Sequence, residues 1–411
     1  MSDAKEIKDS MRFTIQDICD NIGPRSPCSK EEAECAVYIQ NFFKKYSNIT
    51  EIEKFNCHPG SYRAAFRIPT INLILTTISY WIYYFYPNII SISISIILIL
   101  FSIIVIETNV IRNIELIDPL FKKKDSTNVF AKIKPTEKAE RLILIGGHHD
   151  SHWEFPILKK WPKLYIKLMA IPIIFSFFML AIYLLKLILY FISIPYLFVP
   201  LIDLILLIVL SALIPIMVYT AINCVSKNPV MGADDNLTSI AIIFEIIKYL
   251  NRSIGLKNTE IWLVSHGCEE IGDRGSKRFS QKHFDELKDA FVINIDMVGG
   301  KGSELKILIN EVRSVVKHTK ELCEELSKIA NELNITHTIG ATMAFTDSMA
   351  YSRRNIKACS ILGTPKKGFA THYHTLNDTI DKLNFDNLLN CYSILIEFIN
   401  RVENKSFQMK S

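Results

Sequence analysis

Two long stretches of the chain carry almost no charge. Ile68 to Ile106 contains no Asp, Glu, Lys or Arg, and Leu168 to Ile222 contains only Lys186 and Asp203. A membrane span needs roughly 20 apolar residues, so each stretch has the length of two spans and predicts a transmembrane helical hairpin. Tyr86-Pro87-Asn88 supplies breaking residues for the first turn, and Pro195 and Pro200 supply them for the second. Trp81, Tyr83, Tyr84 and Tyr86 fit an aromatic belt at the interface. Ser91, Ser93 and Ser95 are small enough to line a helix contact. Lys186 and Asp203 sit near the second turn, where snorkelling to the interface is the expected role.

Outside these blocks the hydrophobic pattern switches between the periods of helix and strand. Ser29-Lys30-Glu31-Glu32 is a capping box that opens a helix to about Tyr46. Strands are predicted at Ile49 to Phe55 and Asn128 to Ile133, and a central strand ends at His148. Further on come a helix at Ser239 to Leu250, a strand at Glu260 to Ser265, a helix near Lys277 to Asp289 and a strand at Phe291 to Ile295. A strand at Leu305 to Ile309, a long amphipathic helix at Val312 to Leu333, a strand at Ala358 to Leu362 and a helix at Asp386 to Val402 complete the chain. Such alternation predicts an α/β fold, a mostly parallel sheet with helices on both faces, interrupted by two transmembrane hairpins. The boundaries fall at 1–67, 68–106, 107–167, 168–222 and 223–411, so one α/β domain is assembled from three separated pieces. Each hairpin crosses twice, which leaves all three pieces on one side.

Composition changes this picture little. A hydrophobic content of 49% reflects the two apolar blocks, and a net charge of +5 is mild. No basic stripe interleaved with aromatics is present, so nucleic acid is not an expected partner. Nine cysteines without tight spacing point to reduced thiols rather than a disulfide framework. The first residues lack the pattern of a secretory leader.

Candidate chemistry gathers at strand ends. RLILIGGHHDS (Arg141 to Ser151) is a buried strand that runs through Gly146-Gly147 into His148, His149 and Asp150. Asp234-Asp235 lies in the tight turn GADDN before a helix, Glu269-Glu270 follows a strand in CEEIGDRGS, Asp296 ends FVINID, and His374 lies in THYHTLNDT. Open α/β sheets bind ligands at the carboxyl ends of their strands. Histidines and carboxylates converging there suit a hard or borderline divalent ion such as zinc. His149 and His152 read as variable pocket-lining residues beside them.

Taken in order, HHDS, GADDN, EEIGDRGS, NIDMVG and YHTLNDT resemble the signature of the co-catalytic di-zinc exopeptidases of metallopeptidase family twenty-eight, which include leucyl-type aminopeptidases and glutamate carboxypeptidase II. NIGPRSPCSKEEAE is similar to that family's entry segment, with Cys28 where a Gly is common. The resemblance covers nearly all the soluble residues. It implies two zinc ions bridged by Asp235, with His148 and Asp296 completing one site and Glu270 and His374 the other. It implies Glu269 as general base, Asp150 holding the His148 ring, and a cis peptide bond after Asp235. The second hairpin departs from the family pattern, because it separates His148 from Asp235.

These features predict a membrane-bound zinc exopeptidase of the aminopeptidase type, with a peptide substrate and the lipid bilayer as partners. A carboxypeptidase or dipeptidase of the same fold is the nearest rival. A non-catalytic binding protein like the transferrin receptor, a glutaminyl cyclase and a transporter follow. Arg63, Arg67, Arg112, Lys159, Lys160, Lys163, Lys167 and Lys227 flank the spans on the side of the α/β domain, which predicts a multi-pass protein with that domain facing the cytoplasm. The second hairpin leaves just after Ser151 and returns just before Asp235. Short apolar or membrane-derived peptides are therefore the expected substrates.

Overall fold

The computed structural model describes residues 2–192, 200–252, 255–312, 315–366, 368 and 372–407. It divides into two units. The first comprises Met1–Cys57, Lys123–Glu154 and Asn228–Ser411, and the second His58–Lys122 and Phe155–Lys227.

The first unit is built on a nine-stranded sheet: β1 (Ile49–Cys57), β2 (Lys124–Ile133), β3 (Arg141–His148), β4 (Thr259–His266), β5 (Phe291–Asp296), β6 (Ser303–Glu311), β7 (Val316–Lys317), β8 (His337–Ala341) and β9 (Lys357–Pro365). The spatial order is β1-β2-β4-β3-β5-β9-β6-β7, with β8 beside β6. The centre, β4-β3-β5-β9, and the β6–β8 pair match the expected parallel arrangement. β2 pairs antiparallel with both β1 and β4, and β6 antiparallel with both β9 and β7, so the sheet is mixed. Chain length explains the β6 reversal. A parallel partner needs a crossover of a dozen or more residues, whereas only residues 297–302 separate β5 from β6.

Strict alternation of side chains explains why both faces are covered. Ile143, Ile145, Ile261, Leu263 and Ile293 face one core together with the helices Ser2–Asn21, Lys30–Phe43, Leu237–Arg252 and Phe385–Glu403. Leu144, Trp262, Val264 and Val292 face a smaller core under Arg274–Lys282 and Ser348–Ser352. The opening helix Ser2–Asn21 had no place in the sequence reading. The expected helix at Val312 to Leu333 starts only at Lys320, after the short strand β7. The helix near Lys277 to Asp289 is two pieces, Arg274–Lys282 and Phe284–Leu287. Half of the capping box forms: Ser29 Oγ accepts the Glu32 N–H at 3.0 Å, while the Glu32 carboxylate turns elsewhere.

Among the described residues, the second unit contains four long helices. Three are long and apolar enough to cross a membrane: Ile89–Ile111, Tyr165–Phe191 and Leu201–Asn223. The first of the four expected spans, in Pro59–Phe85, is helical but falls outside that set. Thr70, Asn72, Thr76, Thr77 and Ser79 make it more polar, and they are buried inside the unit. Asn72 Nδ2 donates to Ser102 Oγ at 2.9 Å, and Ser79 Oγ donates to the Ser91 carbonyl at 3.0 Å. Ser91 and Ser95 are buried, but Ser93 is exposed. Asn88 caps the helix that follows the first turn. Pro195 lies outside the described residues, and Pro200 begins the last long helix. Lys186 does not snorkel. Its side chain is 2% exposed and its Nζ is 2.8 Å from Asp203 Oδ1, which also accepts from the Tyr80 hydroxyl at 2.6 Å. A charge in an apolar bundle needs such a partner.

Candidate metal centre

The parallel centre of the sheet brings the carboxyl ends of β3, β4 and β5 to one edge, and each delivers a ligand-type side chain. β3 ends on His148, the turn after β4 carries Glu269 and Glu270, and β5 ends on Asp296. Gly147 lets β3 close against the helix Leu237–Arg252, since a Cβ there would lie 2.3 Å from Ser239 Oγ. That helix is preceded by the turn carrying Asp234 and Asp235, and the peptide bond between Asp235 and Asn236 is cis.

Hydrogen bonds fix this turn from several directions. Asp378 accepts the backbone N–H groups of Asp234 at 2.8 Å and Asp235 at 3.1 Å. Asn236 Nδ2 donates to the Ile295 carbonyl at 2.9 Å. Asp234 is structural: its carboxylate accepts the Gly299 N–H at 2.8 Å and contacts His372 Nε2 at 2.7 Å. Asp235 is thereby left to face the cluster. Its Oδ1 lies 3.2 Å from His148 Nε2, and its Oδ2 lies 3.1 Å from His374 Nε2. His374 Nε2 is also 3.1 Å from Glu270 Oε2. On the other side of His148 Nε2 stand Glu269 Oε2 at 3.8 Å and Asp296 Oδ1 at 4.0 Å.

These spacings fit a metal better than hydrogen bonds. Two ligands at about 2.0–2.1 Å on a tetrahedral ion are about 3.3 Å apart. Although His148 Nε2 is close to Asp235, it makes no hydrogen bond, and neither does the buried Glu270 Oε1. Buried polar atoms without partners are rare, and here they border a cluster of ligand atoms lying within 4.8 Å of one another in each group. Three such groups overlap: His148, Asp235 and Glu270; His148, Glu269 and Asp296; and His152, Glu270 and His374. Asp235 presents one carboxylate oxygen to each of the two imidazoles.

Asp150 joins two parts of the cluster. Its Oδ1 is 3.4 Å from His148 Nδ1, and its carboxylate accepts the backbone N–H groups of Glu269 at 3.1 Å and Glu270 at 3.2 Å. One buried carboxylate thus sets both the imidazole ring and the acidic turn.

Electrostatics in the metal-free cluster reflect crowded charge. Burial pushes Glu270 up to about 7, with Asp235 adding to the effect and His374 opposing it. Burial likewise raises Glu269 and Asp296 well above the carboxylate range. Burial works against a charged His374 ring, yet Glu270 and Asp235 hold it up at about 9. His148 is raised for the same reason, against its own burial, by Glu269, Asp150 and Asp235. Protons on these rings and metal cations are alternative ways to neutralise the same carboxylates.

Seven sequence-derived residues therefore come together: His148, Asp150, Asp235, Glu269, Glu270, Asp296 and His374. His149 stays outside, its Nδ1 at 2.7 Å from Ser265 Oγ. His152 lies beside the cluster. Its ring stacks on His374 with centroids 4.0 Å apart, and it shares a ligand group with Glu270. Asp347 was missed altogether. It is buried, neither carboxylate oxygen has a hydrogen bond, and burial raises it to about 8 beside His148. Its segment FTDS follows no recognisable strand end, so periodicity gave no signal for it.

Residues 218–399 match the model of Peptidase family M28. No curated protein sequence matches the chain. Among solved structures, the chain is similar to an aminopeptidase from Aneurinibacillus sp., at 15% identity and a TM-score of 0.56, covering 96% of this chain and 93% of that one. A Zn-dependent exopeptidase from Parabacteroides distasonis gives 14% identity and a TM-score of 0.56, covering 95% and 97%. A glutaminyl cyclase from Porphyromonas gingivalis gives 14% identity and a TM-score of 0.55, covering 96% and 98%. These likenesses describe the fold. Together with the family match over residues 218–399, the carboxylate–imidazole cluster at the sheet edge supports a metallopeptidase similar to Peptidase family M28, with a candidate di-metal active site.

Proposed function

We propose that the protein is a membrane-bound, zinc-dependent exopeptidase of the aminopeptidase type. The observation that carries the reading is Asp235, whose two carboxylate oxygens lie 3.2 and 3.1 Å from the Nε2 atoms of two different histidines. In this reading His148, Asp235 and Asp296 would hold one zinc ion, and Asp235, Glu270 and His374 would hold the other. Bound zinc supplies a water of lowered pKa and polarises the scissile carbonyl. The rest of the work falls to the chain. Glu269, buried and with a raised affinity for protons, takes the proton from the attacking water and returns it to the leaving amine. Asp150 keeps Glu269 and the His148 ring in register through its three contacts.

Three long apolar helices support the membrane assignment, and the flanking basic residues support a cytoplasmic active site. The sequon Asn236-Leu237-Thr238 agrees, because a glycan there would obstruct Asp235. The second insertion begins and ends within a few residues of His152 and Asp235, which favours short apolar or membrane-derived peptides as substrates. The test is a comparison of the purified, zinc-loaded protein on peptides with free and with blocked amino termini. Release of amino-terminal residues from free peptides alone is expected. Cleavage that ignores the amino terminus but needs a free carboxylate would make it a carboxypeptidase instead.

A further inference from the structure

Outside the carboxylate–imidazole cluster, a second group of ligand-type side chains converges in the first unit. Cys28 Sγ lies 3.0 Å from Cys57 Sγ and 3.4 Å from Cys268 Sγ, and the last two are 3.4 Å apart. The three come from distant parts of the sequence. Cys28 lies in the loop before the helix Lys30–Phe43, Cys57 ends β1, and Cys268 precedes the catalytic turn. One side chain holds two of them, Cys28 and Cys268, together. The buried Glu32 carboxylate accepts the Cys28 N–H at 2.7 Å, the Cys268 N–H at 2.9 Å and the Ser126 hydroxyl at 2.9 Å. Cys28 and Cys268 both sit in the left-handed backbone region, at φ 60 and 53. That conformation costs any residue with a Cβ, so a glycine would fit Cys28's position more easily. A thiol stands there nonetheless.

We propose that Cys28, Cys57 and Cys268 form a separate site for a thiophilic divalent ion, such as zinc or cadmium, that ties the amino-terminal segment to the turn carrying Glu269 and Glu270. Three thiolates on a tetrahedral ion with bonds of about 2.3 Å have sulfurs about 3.8 Å apart, so the observed triangle needs only a small outward shift. Its three sides are nearly equal, which suits one shared ion better than a single pair of sulfurs. An ion above the triangle keeps a fourth position for water, and Cys28, the partly exposed member, provides the approach. Arg274 and Arg278 near Cys57 offset the negative charge of three thiolates around a divalent ion. The all-sulfur donor set distinguishes this site from the oxygen and nitrogen ligands at the sheet edge. Its role is positioning: the ion would hold Cys268, and through the backbone the acidic turn.

The full-length protein in detergent, reduced and stripped of metal, is titrated with cadmium alone. The expected result is a thiolate-to-cadmium charge-transfer band in the ultraviolet that saturates at one ion per chain. Cys28→Ser and Cys57→Ser should each lose it. Cys323→Ser, which removes the other close thiol pair (Cys323 and Cys359, 3.1 Å apart), should keep it. On the unaltered chain, zinc alone should protect Cys28, Cys57 and Cys268 together from alkylation, as read by mass spectrometry. This second arm decides the matter if the variants do not fold. Absence of the band, its survival in both variants, alkylation of the three thiols regardless of zinc, or recovery of a Cys28–Cys57 disulfide from protein isolated with its thiols trapped would overturn the proposal. The band arises only from sulfur, so it stands or falls independently of the di-metal reading.

Discussion

Glu269 and Asp296 are the pair whose roles most need separating, because both stand near 4 Å from His148 Nε2, at 3.8 and 4.0 Å. If Glu269 is the base, Glu269→Gln removes a proton acceptor and leaves the ligand set intact. Loss of general-base catalysis costs about 100-fold or more in turnover, which at 1.36 kcal/mol per tenfold is about 2.7 kcal/mol in the barrier. Stability should move the other way. The wild-type carboxyl is held well above its usual pKa by burial, so the native state of the metal-free protein binds that proton more tightly than the unfolded state does. Its contribution to stability is therefore lost as pH rises above the ordinary carboxylate range. The isosteric amide has no such loss, so the metal-free variant should melt no lower than wild type near neutral pH. Asp296→Asn, by contrast, should lose one of the two ions. Steady-state kinetics on a free-amino-terminus peptide, elemental analysis and thermal melts of both variants provide the assay. Normal turnover in Glu269→Gln, or loss of an ion from it, would refute the assignment.

Protein purified without chelators should carry close to two divalent ions at the sheet edge, and a fully active preparation without them would remove the basis of the mechanism. In the metal-free protein, Glu270 at about 7 and His374 at about 9 both bind protons more tightly than when unfolded, so stability should decline as pH rises from about 4.5 to 7 through Glu270 and from about 6.5 to 9 through His374. Over the same window metal uptake should expel protons, measurable by calorimetry in buffers of different ionisation enthalpy; proton-neutral binding would contradict the shared site. Gly147→Ala should destabilise the catalytic unit by about 1–3 kcal/mol or abolish folding, since the added Cβ meets Ser239 Oγ at 2.3 Å; an unchanged denaturant midpoint would contradict the packing. Protease added outside sealed, right-side-out membranes should leave the catalytic unit intact, and its digestion there would reverse the orientation.

Much of the site was legible because it lies at strand ends, where a buried apolar run stops at a glycine or a charge. His148 after Gly146-Gly147 and Asp296 after FVINI carry that signal in the local pattern. Sheet direction was less legible, since side-chain alternation is the same in parallel and antiparallel strands. Only the short link between β5 and β6 would have told them apart. Lys186 was misjudged because one-dimensional spacing cannot see Asp203 and Tyr80 converging on it. Asp347 was missed for a similar reason: it reaches the cluster through tertiary folding. The cysteines showed the same limit, as three unremarkable spacings concealed a triangle of sulfurs.

The second insertion leaves the catalytic unit after Glu154 and re-enters at Asn228, and there the two chain ends are already joined. The Glu154 N–H donates to the Asn228 carbonyl at 2.8 Å, and the Val230 N–H to the His152 carbonyl at 2.9 Å. Trp153 and Pro229 form an antiparallel bridge between them. The two ends of the insertion are therefore held together by hydrogen bonds within the first unit. For such a loop, doubling the length adds only about 0.6 kcal/mol of closure entropy. Among its described residues, none belongs to a strand of the sheet. Evolution could lengthen, replace or discard this insertion while the sheet and its ligands keep their register. The site's chemistry and the insertion can thus change independently, because the insertion joins the first unit at a single hydrogen-bonded junction beside His152.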